Sequence, residues 1–145
     1  MAGAGAGMSH LEYLRAIIAG EEQGAMVAEL IGMRMVEAEV GRVTFELDVG
    51  PQHTSPPGTL HGGILCDLAD AAMGCANLSR LEPDELFTTV ELKINFLRPV
   101  REGRLTAVGS VIKAGRTLAL TDCRVTDEEG SLVAYATSTC MTLRG

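Results

Sequence analysis

The residues whose types and spacing could do chemistry gather in His53-Thr54-Ser55-Pro56-Pro57-Gly58-Thr59-Leu60-His61-Gly62-Gly63, which runs straight into a segment of helical periodicity. Gly62 and Gly63 therefore fall at a helix N-terminus. There the first backbone N–H groups lack intrahelical acceptors and the helix dipole favours negative charge. Glycine lets a ligand approach the main chain closely. Such a place can hold a phosphate or stabilise the oxyanion of an acyl transfer. The same glycines can equally serve only a tight turn into the helix, and composition does not choose between the two. Two turns on, Asp70 shares a helical arc with Gly63, and Asp67 lies one turn earlier on that arc. A carboxylate beside an oxyanion site is the minimum equipment for hydrolysis, as general base or as nucleophile. Either aspartate could instead be a solvated surface residue, and periodicity does not separate them.

Four cysteines, Cys66, Cys75, Cys123 and Cys140, form no Cys-x-x-Cys pair, and the three histidines are widely spaced. Zinc-ligand spacing is absent, so no metal is expected. Each cysteine sits in an apolar segment, the ordinary setting of a small buried thiol, and the set suits a reducing cytoplasm. His10 and His53 have no partner in the sequence and are assigned no role.

The elements that must position these groups follow from the pattern. Ser9 and Glu12 have capping-box spacing, and Leu11, Leu14 and Ile18 recur at helical intervals up to a stop at Gly20. A short helical patch over 25–31 ends at Gly32. Runs over 33–39 and 42–49 flank a turn at Gly41, and in the second Val43, Phe45, Leu47 and Val49 alternate with polar residues, as in a half-buried strand. Residues 50–59 read as loop. Over 62–79, Leu65, Leu68, Ala69, Ala72, Cys75 and Ala76 share one arc, and Gly63, Asp67, Asp70, Gly74 and Asn77 the opposite one. So much Ala and Gly suits a central helix closely approached by other backbone. Four strand-like runs follow, over 88–97, 104–113, 117–126 and 131–142. In the first, Val90, Leu92, Ile94 and Phe96 alternate with Thr89, Glu91, Lys93 and Asn95. Short glycine-containing connections at 114–115 and 128–130 imply antiparallel neighbours. Two strands, a long helix and then a meander predict an α+β fold, with residues 1–8 as a flexible leader and 9–145 as a single domain.

One resemblance adds what spacing leaves open. His61-Gly62-Gly63 followed by Leu68-Ala69-Asp70-Ala71-Ala72-Met73-Gly74 resembles the signature of the phenylacetate-type (PaaI-like) branch of hotdog thioesterases, related to the 4-hydroxybenzoyl-CoA thioesterases. Thr89-Val90-Glu91-Leu92-Lys93-Ile94-Asn95-Phe96-Leu97-Arg98-Pro99 resembles that family's strand after the helix. Gly115-Arg116 is similar to its next-to-last turn, and 127–134 to its final hairpin. The likeness spans roughly residues 27–142. It implies a hotdog fold, a six-stranded antiparallel sheet wrapped around the long central helix. It implies subunits paired edge to edge, often doubled to a tetramer, with the sites at the dimer interface. On this resemblance the Gly62 amide polarises a thioester carbonyl and His61 arranges the substrate or the loop. Asp70 of the facing subunit acts on water or attacks the carbonyl, and Thr89 holds the water. Ser55 stands where much of the family has Asn, and a hydroxyl cannot reproduce an amide's reach. Gly63, Arg98 and Arg116, with Arg101 and Arg104 as further candidates, are expected to meet the coenzyme A moiety; Arg at strand ends is otherwise simply solvated.

The bulk numbers bound the partners. A net charge of −7 opposes an extended nucleic-acid surface, and 3% aromatics with no Trp supply no stacking platform. No apolar run is long enough to span a bilayer, and no secretory signal is recognisable. The expectation is a cytoplasmic homodimer or homotetramer that hydrolyses an aryl- or fatty-acyl-CoA thioester to free acid and CoA, without metal or organic cofactor. The alternative is a non-catalytic acyl-CoA-binding module, a sensor or store. A hotdog dehydratase fits less well, because His61 sits in the wrong motif for one.

Overall fold

The computed structural model describes residues 7–145. The expected leader thus lies outside the described residues apart from Gly7 and Met8. Helix α1 (His10–Ala19) opens on the predicted capping box. The Glu12 N–H donates to Ser9 Oγ at 3.2 Å, and the Glu12 carboxylate accepts the Ser9 N–H at 2.7 Å. That second bond holds the Glu12 carboxyl below its ordinary range. Helix α2 (Met26–Ile31) is a short segment ending at Gly32. Strands β1 (Met33–Glu39) and β2 (Arg42–Val49) form a hairpin around Gly41, whose φ of +74° is the left-handed conformation such a turn requires. A single 3-10 turn (Pro51–His53) precedes the central helix α3 (Gly62–Leu78). Strands β3 (Leu86–Phe96), β4 (Gly103–Ala114), β5 (Leu118–Thr126) and β6 (Leu132–Leu143) complete the chain.

All six strands form one antiparallel sheet in the order β1-β2-β4-β5-β6-β3. The expected meander holds for β4, β5 and β6, which the short hairpins join. It does not hold for β3, which crosses to the far edge beside β6. The six-residue connection 97–102 makes this feasible. It must cover three strand spacings, about 14 Å, which six extended residues span with ease. Nothing local in that connection fixes which strand β3 adjoins.

Helix α3 lies across the sheet and touches every strand. Leu65, Leu68, Ala69, Ala72, Met73 and Ala76 are buried against Val43, Phe45, Leu47, Leu105, Ala107, Val125 and Ala136. The small residues serve close approach. A Cβ built on Gly109 of β4 would lie 2.3 Å from the carbonyl carbon and oxygen of Ala72, so only glycine lets this strand meet the helix backbone. The polar arc is only partly solvated. Asp67 is exposed, Gly74 is covered by the Phe87 ring and Asn77 is fully buried.

Strand β3 departs from the simple alternation read in its sequence. Thr89 pairs with Cys140 and Glu91 with Thr139, so Val90 is an extra residue in a β-bulge. The bulge reverses the phase. Thr89, expected on the polar face with Glu91 and Lys93, turns instead toward α3, and Val90 is 56% exposed. Leu92 and Ile94, beyond the bulge, pack on the core as the pattern predicts.

Candidate active site

The loop between β2 and α3 is built mainly from its own backbone. The Ser55 N–H and Oγ both donate to the Thr59 carbonyl, at 2.8 and 3.1 Å, and the Gly58 N–H donates to the Ser55 carbonyl. Leu60 N–H donates to the Val100 carbonyl, and His61 N–H to the His53 carbonyl at 2.8 Å. Ser55 thus spends its hydroxyl proton inside the loop. The shorter side chain closes a turn rather than reaching toward the helix start.

His61 is the N-cap of α3. Its Nδ1 accepts the Gly63 N–H at 2.9 Å, which satisfies one of the orphan donors of the first turn. With Nδ1 accepting, a neutral ring carries its proton on Nε2, at an exposed edge where it can donate to a ligand. Of the two glycine amides, Gly63 is therefore occupied. The Gly62 N–H donates to no group among the described residues, and the helix dipole acts there. The Phe96 ring leans over this glycine; a Cβ at Gly62 would stand 2.8 Å from its Cζ.

Asp70 is half-buried on α3, and Thr89 Oγ1 donates to its Oδ1 at 2.9 Å. The bulge at Val90 is what aims that hydroxyl. Asp67 is exposed and has no such partner among the described residues. Asp70 follows Gly62 by eight residues, an axial separation of about 12 Å along the helix. A single thioester carbonyl cannot sit within hydrogen-bond reach of both groups of one chain.

The four cysteines are free; Cys123 and Cys140 are buried, whereas Cys66 and Cys75 are residues of intermediate exposure, the Cys75 thiol being turned inward. Burial pushes the Cys75 thiol up to about 12, with the Asp70 charge adding to it. Burial, then the Asp122 charge, does the same for Cys123, also to about 12. Cys66 is raised by burial and by Asp67 and Asp70, and Cys140 mainly by burial. Thiols held protonated are poor nucleophiles.

The arginines are scattered. Arg98 lies 3.9 Å from Asp127, and Arg101 Nη1 donates to the Pro57 and Gly58 carbonyls at 3.4 Å each. Arg104 is engaged by Asp48 at 2.8 Å and by Glu46, and Asp48 holds its guanidinium above the ordinary value. Arg116 is exposed in the β4–β5 turn. The Arg98 N–H meets the Val133 carbonyl, while the Thr117 carbonyl beside Arg116 meets the Thr142 N–H. Those β6 positions are about 30 Å apart. Within one protomer Arg98 and Arg116 therefore do not share a ligand.

Sequence reasoning missed the two buried histidines. His10 Nε2 meets the Glu85 carbonyl at 2.8 Å, packing α1 onto the start of β3. His53, 4% exposed, binds Gly50 and Ile31 through its two ring nitrogens. No local signal marks either one, because the Glu85 and Ile31 carbonyls that meet their Nε2 atoms belong to other segments.

Comparison with known proteins places this geometry in context. The family model described as Thioesterase superfamily matches residues 57–134, from the loop before α3 into β6. The 1,4-dihydroxy-2-naphthoyl-CoA hydrolase of Listeria monocytogenes is 31% identical over 77% of this chain and 90% of its own length. Human acyl-coenzyme A thioesterase 13 is 29% identical over 90% of this chain and 95% of its own. A thioesterase family protein from Silicibacter pomeroyi superposes with a TM-score of 0.82 at 31% identity, covering 94% of this chain and all of that one.

Proposed function

The chain belongs to the thioesterase superfamily, with the hotdog fold, and is a thioester hydrolase; from that premise we propose that it cleaves acyl-CoA at a site shared between two copies of itself. The observation that carries this reading is the arrangement on α3. A free Gly62 N–H at the helix start and a Thr89-bound Asp70 lie about 12 Å apart on one helix, so a carbonyl that meets both must meet them on different chains.

Strand β3 supplies the means of pairing. It is an eleven-residue edge strand whose outer ladder is unpaired among the described residues, and Val90 and Phe96 are more than half exposed on it. Pairing two β3 edges antiparallel sets the two α3 helices side by side in opposite directions. Asp70 of one copy then faces Gly62 of the other. The same operation brings Arg98 of one copy toward Arg116 of its partner, and these become the candidates for the phosphates of coenzyme A. Exposed Ile112, Leu118 and Leu120 on the outer sheet offer apolar surface for a second pairing, and hence a homotetramer.

In the reaction the Gly62 N–H and the helix dipole polarise the thioester carbonyl, and the His61 Nε2–H orients it. Asp70, held by Thr89, takes a proton from water as the water oxygen adds to the carbonyl carbon. The tetrahedral oxyanion rests on Gly62. Its collapse breaks the C–S bond, and the proton passes to the departing thiolate. The alternative course is attack by Asp70 itself, which breaks the C–S bond, releases the CoA thiolate and leaves a mixed anhydride that water then opens to the free acid and the Asp70 carboxylate. The acyl group is aryl or fatty. The relatives named for 1,4-dihydroxy-2-naphthoyl-CoA and for acyl-coenzyme A support the CoA carrier. Four free cysteines support a reducing cytoplasm as the working compartment, and no described helix is long and apolar enough to cross a membrane.

The test is thiol release from benzoyl-CoA, phenylacetyl-CoA and a series of alkyl-CoAs by the wild-type protein, Asp70→Asn and Asp67→Asn. Wild type and Asp67→Asn are expected to turn over. Asp70→Asn should lose at least about 100-fold, the scale of a lost acid–base group. Full activity in Asp70→Asn, or tight binding of every CoA ester without cleavage, contradicts the reading.

A further inference from the structure

His53 lies outside the reacting groups, yet its backbone carbonyl is bonded to the residue that caps the helix start. Its ring is buried, 4% exposed, at the end of the 3-10 turn. The Gly50 N–H donates to Nδ1 at 3.0 Å, which leaves the proton on Nε2. That proton is donated at 2.7 Å to the carbonyl of Ile31, the last residue of α2. The Ile31 carbonyl is one of the helix-end acceptors that α2 cannot satisfy internally. One neutral tautomer thus satisfies both nitrogens, and the ring is anchored to two segments, the end of β2 and the end of α2.

The anchored residue then hands its position to the helix start. The His53 carbonyl accepts the His61 N–H at 2.8 Å, and His61 in turn caps Gly63 through Nδ1. Gly62 sits between these two fixed points. The Gly50 bond is local, three residues away, whereas the Ile31 bond reaches across 22 residues and is the one that joins the loop to the body of the fold.

We propose that His53 is a positioning residue for thioester hydrolysis, aiming the Gly62 N–H through the Ile31–His53–His61 chain of hydrogen bonds. This rests on the reading that Gly62 receives the carbonyl oxygen. Since that interaction strengthens as the oxyanion forms, its misalignment lowers kcat and leaves ground-state binding nearly alone.

Three variants of the full chain test it. His53→Gln carries an amide N–H to about the reach of Nε2 and keeps the Ile31 anchor. His53→Asn keeps an acceptor for Gly50 alone, and His53→Leu keeps neither. With the CoA ester cleaved best from the benzoyl, phenylacetyl and alkyl panel, Leu and Asn are expected to lose about 30-fold to 100-fold in kcat with KM within about threefold, the scale of a small misplacement. Gln should recover to within about fivefold of wild type, at a melting temperature that shows it folded. Equal kcat for Gln and Asn, a change confined to KM, or a fall in melting temperature with kcat intact overturns the proposal. So does failure of Gln to fold, because it retains the anchor. Asp70→Asn assayed alongside separates the two readings. If it is inactive while the His53 variants keep wild-type kcat, only the positioning role falls; if it is fully active, the site itself is wrong.

Discussion

Replacing Thr89 by valine removes one hydroxyl and leaves the branched shape. The hydroxyl donates to Asp70 Oδ1 at 2.9 Å, from a bulged strand that turns it toward α3. A hydrogen bond to an ionised carboxylate contributes about 1.5 to 3 kcal/mol, and each 1.4 kcal/mol is a factor of ten in rate. Without the bond, free Asp70 leaves its working direction and must be brought back to it before reacting, at a cost up to that energy, so kcat should fall about 10-fold to 100-fold. Thr89→Ser keeps the donor and should retain most of the rate. Continuous thiol release gives kcat and KM for both variants, and circular dichroism checks that each is folded. A Val variant as fast as wild type refutes the reasoning. So does a Ser variant as slow as Val, since the methyl group and not the hydroxyl would then carry the effect.

Two further outcomes follow from the fold. Gly109→Ala puts a Cβ 2.3 Å from the Ala72 carbonyl group, where ordinary contact begins near 3.4 Å, so backbone must move. The cost belongs at the upper end for overpacking, about 3 kcal/mol, and the melting temperature should drop by roughly 10 °C; an unchanged melting temperature would mean the helix does not press on this strand. Acid stability depends on three surface carboxyls held below their ordinary values: Asp48 by Arg104 and Arg34, Glu85 by the Glu82 N–H, and Glu12 by the Ser9 N–H. Their folded values lie below the unfolded ones, so the stability they add is complete above the ordinary values of 3.8 to 4.5 and drains away as pH falls beneath them. Melting scans should show a steeper decline below pH 4 for wild type than for Asp48→Asn, and parallel curves would contradict this.

Local chemistry explains which parts of the fold were legible in the sequence. The Ser9–Glu12 cap, the alternation of β2 and the hairpins at Gly115 and Gly130 depend on neighbours in the chain, and each appears where the pattern puts it. The helix start at Gly62 is of the same kind. Long-range pairing is not. Nothing between residues 97 and 102 says that β3 adjoins β6 rather than β4. The bulge at Val90 hides because an extra residue leaves the apolar spacing of Val90, Leu92, Ile94 and Phe96 intact while turning Thr89 to the other face. The sequence assigns His53 no role, because its partner carbonyl, on Ile31, becomes its neighbour only when α2 and the loop fold together. Asp70 and Asp67 were level on periodicity, and the Thr89 hydrogen bond is a difference that only the folded chain displays.

The central claim is that Gly62 and Asp70 act on one carbonyl from different copies of the chain. It is tested most directly by a hybrid dimer, purified through two different tags, of Asp70→Asn with Gly62→Val. Each variant alone should be nearly inactive. The hybrid holds one site with both defects and one site with neither, so it should recover about half the wild-type rate. A hybrid no faster than its two parents would mean that the two groups belong to the same chain's site, and the shared site would be wrong.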